Sequence, residues 1–91
     1  MGGKGVDKIE AFRHDINRIM PPIKGGLFTT SEVPKTRSVT VYLRVFGKVK
    51  LKLDIPFSDI EKVNTQDLAC TIAKKMCDEY KLDKAQPVLP L

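Results

Sequence analysis

The sequence predicts an α+β domain, a two-layer sandwich in which an antiparallel β-hairpin packs on two helices in the order α-(β)-β-β-α. Two observations carry this. From Arg37 to Phe57, apolar and polar residues alternate across two runs joined at Gly47, the period-2 signature of a half-buried hairpin. On either side of it, Ile9, Phe12, Ile16 and Ile19, and then Leu68, Ala69, Ile72, Ala73, Met76 and Tyr80, recur at helical spacing. One apolar sheet face and two apolar helix stripes bury one another most economically as two layers.

The first helix has a start and a stop. Asp7 is placed to cap it and Glu10 follows three residues later, a capping-box arrangement. Pro21 and Pro22 end it, leaving Ile23 just beyond, and Gly25-Gly26 complete the break. Leu27 to Thr30 reads either as a short edge strand or as a packed loop, and Ser31, Glu32, Pro34 and Lys35 as a turn region.

In the hairpin, Val39, Val41, Leu43 and Val45 share one face, and Ser38, Thr40, Tyr42 and Arg44 the other. Val49, Leu51, Leu53 and Ile55 alternate in the same way with Lys48, Lys50, Lys52 and Asp54. Opposed residues of an antiparallel pair share a face. A three-residue loop, Phe46-Gly47-Lys48, satisfies that rule. It sets Val45 against Val49, Leu43 against Leu51, Val41 against Leu53 and Val39 against Ile55. The wet face then pairs Arg44 with Lys50, Tyr42 with Lys52 and Thr40 with Asp54.

Pro56 ends the second strand, and Ser58 with Glu61 suggests a helical turn. A longer helix opens near Asn64, with Asp67 in its first turn and Val63 and Leu68 placed as a hydrophobic staple. Residues 83–91, with two prolines, read as an extended tail, and the Gly-rich residues 1–5 as a disordered N-terminus.

At 91 residues the chain is one small domain, and its 42% apolar and 30% charged residues are those of an ordinary globular protein. Its net charge of +5 favours anionic partners. No run approaches the roughly 18 apolar residues of a membrane span, and no signal-peptide core is present. Cys70 and Cys77 stand seven residues apart on one helix, about 10 Å of rise, too far for a disulfide between them. They read as reduced thiols, which implies an intracellular protein, cytoplasmic or nuclear.

Catalysis finds little support. His14 is the only histidine and lies opposite the apolar stripe of its helix, away from both thiols. One His and two spaced Cys do not make a zinc site, and the glycine pairs lack a phosphate-binding pattern. The expectation is a non-enzymatic module without cofactor or metal.

The basic hairpin face is the leading candidate site. Arg44, Lys48, Lys50 and Lys52 with Tyr42 form a cationic patch with one amphipathic ring. Like charges opposed on a strand pair are mildly destabilising, so the patch gains from an anion. An acidic protein surface and RNA both fit, although strong single-strand binders present more stacking rings. Outward lysines on a strand also simply suppress aggregation. Strand edges that pair between copies offer homo-oligomerisation as a further interaction. In the tail, Lys84 with Pro87 and Pro90 matches a basic residue spaced before P-x-x-P, as SH3 domains take, or else Val88 and Leu89 pack on the core.

Two strands, a tight turn and a helix opening at Asn64-Thr65-Gln66-Asp67-Leu68 resemble the first half of a ubiquitin-like β-grasp domain, as in Ras-association domains and the first lobe of FERM domains. The resemblance covers about Ser38 to Leu82. It implies that the first two strands meet an acidic partner protein, with Arg44, Lys50 and Lys52 as contacts. If Leu27 to Thr30 is a strand, the whole chain also resembles the α-β-β-β-α sandwich of double-stranded RNA-binding domains, which implies a small basic RNA-binding protein. Such domains use a Gly- and Lys-rich helix start for phosphate, and this chain has Asp67 there.

Overall fold

The computed structural model describes residues 8–85. Helix α1 (Lys8–Asn17) is followed by strands β1 (Gly26–Val33), β2 (Ser38–Val45) and β3 (Lys48–Pro56), a short helix α2 (Phe57–Glu61) and a long helix α3 (Thr65–Ala85). The strands form an antiparallel sheet in the order β1-β2-β3. The expected α+β sandwich is present, and the ambiguous segment after Gly26 is a full strand.

Ile9, Phe12 and Ile16 of α1, Val39, Val41 and Leu43 of β2, and Ala69, Ile72, Ala73, Met76 and Cys77 of α3 are all buried in one core, joined by Phe28, Ile55 and Ile60. Each is the inward residue of its local period, which is why the two periodicities find one another. Polar ties set the helices on this core. Thr65 donates its hydroxyl to Asp15 Oδ2 at 2.9 Å, linking α3 to α1. Lys8 Nζ donates to the carbonyl of Val63 at 2.8 Å. Arg13 Nε donates to Thr30 Oγ1 at 3.1 Å, and its Nη1 lies 3.4 Å from Glu32 Oε1, so α1 is pinned to β1.

One terminal signal acts as its chemistry predicts, and the proline stop does not. Asn64 Oδ1 accepts the amide of Asp67 at 3.0 Å, so Asn64 caps α3. Helix α1 stops at Asn17, short of the prolines, and Ile19 and Ile23 still pack on the core from the irregular segment. Asp7 lies outside the described residues.

Several expectations need correction. Ser31 and Glu32 belong to β1, opposite Thr40 and Val39, and the turn is Pro34 to Arg37. There the amide of Arg37 donates to Pro34 O at 3.1 Å. The hairpin closes through two residues, Phe46 and Gly47, both at positive φ (52° and 83°). That is the handedness which matches strand twist. The three-residue loop is therefore wrong: Val45 faces Lys48, and Arg44 faces Val49 rather than Lys50. A bulge between Leu43 and Arg44 then leaves Lys50 as the extra residue, and restores the expected pairs from Leu43–Leu51 through Val39–Ile55. Without the bulge a two-residue turn would carry the apolar set of β3 to the wrong face. Helix α3 continues to Ala85, three residues into the segment read as an extended tail. Residues 1–5 and 86–91 lie outside the described residues.

Candidate functional site

Both long helices pack on one face of the sheet, and the opposite face is covered by no described element. Strand register orders that open face into rows. Leu27, Arg44 and Val49 lie side by side across β1, β2 and β3, followed by Thr29, Tyr42 and Lys52, then Ser31, Thr40 and Asp54, and last Val33, Ser38 and Pro56. Being central, β2 is flanked on both sides, so Ser38 and Thr40 are buried rather than wet. Their hydroxyls are satisfied within the chain: Thr40 donates to Asp54 Oδ1 at 2.7 Å across the sheet, and Ser38 shares a 2.8 Å hydrogen bond with Thr36 in the preceding turn. Asp54 is thus turned toward Thr40.

The half nearest the hairpin turn differs. Arg44 is held from three sides. Its Nε donates to Thr29 Oγ1 at 3.3 Å, its Nη1 donates to Gly47 O at 3.2 Å, and its guanidinium carbon lies 5.8 Å from the Tyr42 ring centroid. A guanidinium over an aromatic face is attracted by the ring quadrupole, so the cation is oriented before any ligand arrives. Leu27 and Val49 flank it, 47% and 44% exposed. Lys52 stands next to Tyr42 with its side chain exposed. Phe46 at the turn is 72% exposed, and its ring lies against Gly25, whose own φ is 75°.

Of the expected site residues, Tyr42, Arg44 and Lys52 share this face. Lys48, opposite Val45, shares the face of the core residues at the end of the sheet, and Lys50 occupies the bulge. Lys48 is therefore set apart from Tyr42, Arg44 and Lys52. Lys84 lies within α3, and Pro87 and Pro90 are outside the described residues. Sequence reasoning missed Leu27, Val49 and Phe46. The available signal was Phe46-Gly47, a bulky residue before glycine at a hairpin tip, where only a positive φ closes a two-residue turn.

A concavity of about 390 Å³ lies between Ile19, Pro21 and Pro22 and the side of α3 bearing Cys70, Ala73 and Cys77. Cys70 is exposed and Cys77 buried, neither in a disulfide. Burial pushes the Cys77 thiol above its ordinary value, with Lys81 opposing and nearby Asp78 adding to the rise, which leaves it a poor nucleophile. His14 is exposed on α1. No described helix is long and apolar enough to cross a membrane, and no cluster of three metal-ligating side chains occurs among the described residues.

No protein-family model, curated protein or solved structure matches this chain. Its class is defined by its own geometry: an α+β sandwich whose sheet leaves one face open, with a preoriented arginine between two exposed aliphatic side chains.

Proposed function

We propose that this chain is a non-enzymatic docking module that binds an acidic segment of a partner protein on the open sheet face. The reading rests on the row Leu27–Arg44–Val49. A fixed cation with apolar area on both sides suits a ligand carrying a carboxylate beside aliphatic or aromatic groups. Tyr42 and Lys52 in the next row extend the same chemistry, and arginine and tyrosine are residue types that dominate interface energetics. Phe46 adds support from a different direction. A bulky residue held at φ 52° stores local strain, and such strain gathers at functional positions.

RNA is the second reading, favoured by the α-β-β-β-α order and by the Tyr42–Arg44 pair. It ranks lower because Leu27 and Val49 offer nothing to a phosphate backbone, and because the start of α3 presents Asp67.

Binding of the purified chain to an array of acidic peptides, with and without interspersed Leu and Phe, tests this directly. The expected result is preference for the mixed peptides. Leu27→Ser with Val49→Ser, and separately Arg44→Gln, should each weaken binding about tenfold or more. Generic RNA at about 50 and 200 mM salt is the counter-test. Binding that collapses across that range, and that survives the Leu27/Val49 change, would replace the protein reading with the RNA one.

A further inference from the structure

We propose that β1 is a dimerisation edge: two copies of this chain pair through antiparallel β1 strands about a two-fold axis at Thr30, making one six-stranded sheet. The proposal concerns the edge of the sheet and stands apart from the face reading above.

The two edges of the sheet are built differently. The β3 edge carries Lys48, Lys50 and Lys52, a bulge, and Pro56 at its end. These are the devices that keep an edge strand from pairing. The β1 edge has none of them. It is eight residues long, Gly26–Val33, without lysine, proline or bulge, and pairs with β2 in unbroken register. Its one charge, Glu32, is matched within the chain by Arg13.

Hydrogen-bond alternation selects the register. Phe46 donates its amide to Gly25 O at 2.9 Å, so Gly25 and Phe46 form a hydrogen-bonded pair. Along an antiparallel ladder such pairs alternate. Leu27, Thr29, Ser31 and Val33 therefore bond to β2, while the amides and carbonyls of Gly26, Phe28, Thr30 and Glu32 point away from it. The amide of Gly26 is already used on Ile23 O at 2.8 Å. That leaves Phe28, Thr30 and Glu32, whose outward backbone groups meet no partner among the described residues, as a symmetric set centred on Thr30.

A second copy running antiparallel meets this set with the same set. Thr30 faces its own counterpart, and Phe28 faces the partner copy's Glu32, giving three hydrogen-bonded pairs. On the open face the same register places Leu27 beside the partner copy's Val33, and Thr29 beside its Ser31. On that face apolar meets apolar and hydroxyl meets hydroxyl, the self-complementarity that an isologous contact requires, while on the other face Glu32 keeps its ion pair with Arg13.

Sedimentation equilibrium of the full chain over a range from low to high micromolar reads the association. A monomer–dimer equilibrium is expected. Thr30→Pro removes the outward amide at the axis from both copies while sparing every bond to β2. It should weaken the dimer about tenfold or more, with the circular dichroism of the fold retained. Lys52→Glu, on the opposite edge strand, should leave the dimer intact. A chain that stays monomeric throughout, or a dimer indifferent to Thr30→Pro, overturns the proposal. Should Thr30→Pro fail to fold, amide exchange of the unmodified chain decides. Protection of Phe28, Thr30 and Glu32 that rises with concentration supports the edge, and unchanged protection at these three amides overturns it.

Discussion

Phe46 closes against Gly25: its amide donates to the Gly25 carbonyl at 2.9 Å, and a Cβ added to Gly25 would stand 2.6 Å from the ring. This one contact joins the hairpin turn to the beginning of β1 and starts the register of the sheet. Gly25→Ala should therefore lower stability by about 1–2 kcal/mol, since φ 75° disfavours any Cβ and the ring must also move. Urea unfolding measures it. Phe46→Ala in the same chain should recover the steric share and leave the backbone share.

Phe46→Asn addresses the turn itself. Asn accepts positive φ far more readily than Phe, so the substitution should raise stability by about 0.5–1 kcal/mol while weakening partner binding. Opposite signs in unfolding and binding measurements would identify Phe46 as a residue whose strain serves recognition. A loss of stability would mean that its packing on Gly25 outweighs the strain.

Asn64→Ala removes the acceptor for the Asp67 amide at the start of α3. The expected cost is about 1 kcal/mol, and Asn64→Asp should retain most of the stability. Paired denaturation curves check both.

Cys77 should make stability fall at alkaline pH. Burial raises its native value above the ordinary 9.0, so the unfolded chain ionises first. Stability is full below the unfolded value and declines as pH climbs through the raised native one. Cys77→Ala should flatten that decline, although it also opens a small cavity. Thiol labelling at neutral pH should modify Cys70 quickly and Cys77 only on unfolding.

The core was legible in the sequence because its signals are local. Ile9, Phe12 and Ile16 show their face through helical spacing, and Val39, Val41 and Leu43 through alternation, so each element announces its buried side before it meets a partner. Asn64 was readable for the same reason, whereas helix α1 ends at Asn17, before the prolines read as its stop. The candidate site was legible in part: Tyr42, Arg44 and Lys52 share a face by alternation alone.

What only the tertiary structure decided depends on how strands are paired. A two-residue turn together with a bulge reproduces the pairs of a three-residue loop from Leu43 onward, so alternation could not distinguish them. The difference falls at the tip, where it takes Lys50 out of the ladder and sets Val49 beside Arg44. Leu27 reaches the other side of Arg44 through the β1–β2 register, across 17 residues of chain. Ser31 carries a turn-forming side chain and Glu32 lies close to Pro34 in the sequence, yet the ladder with β2 holds both extended. Periodicity is a property of one segment, whereas a cross-strand neighbour is set by turn geometry and by the burial of both strands together.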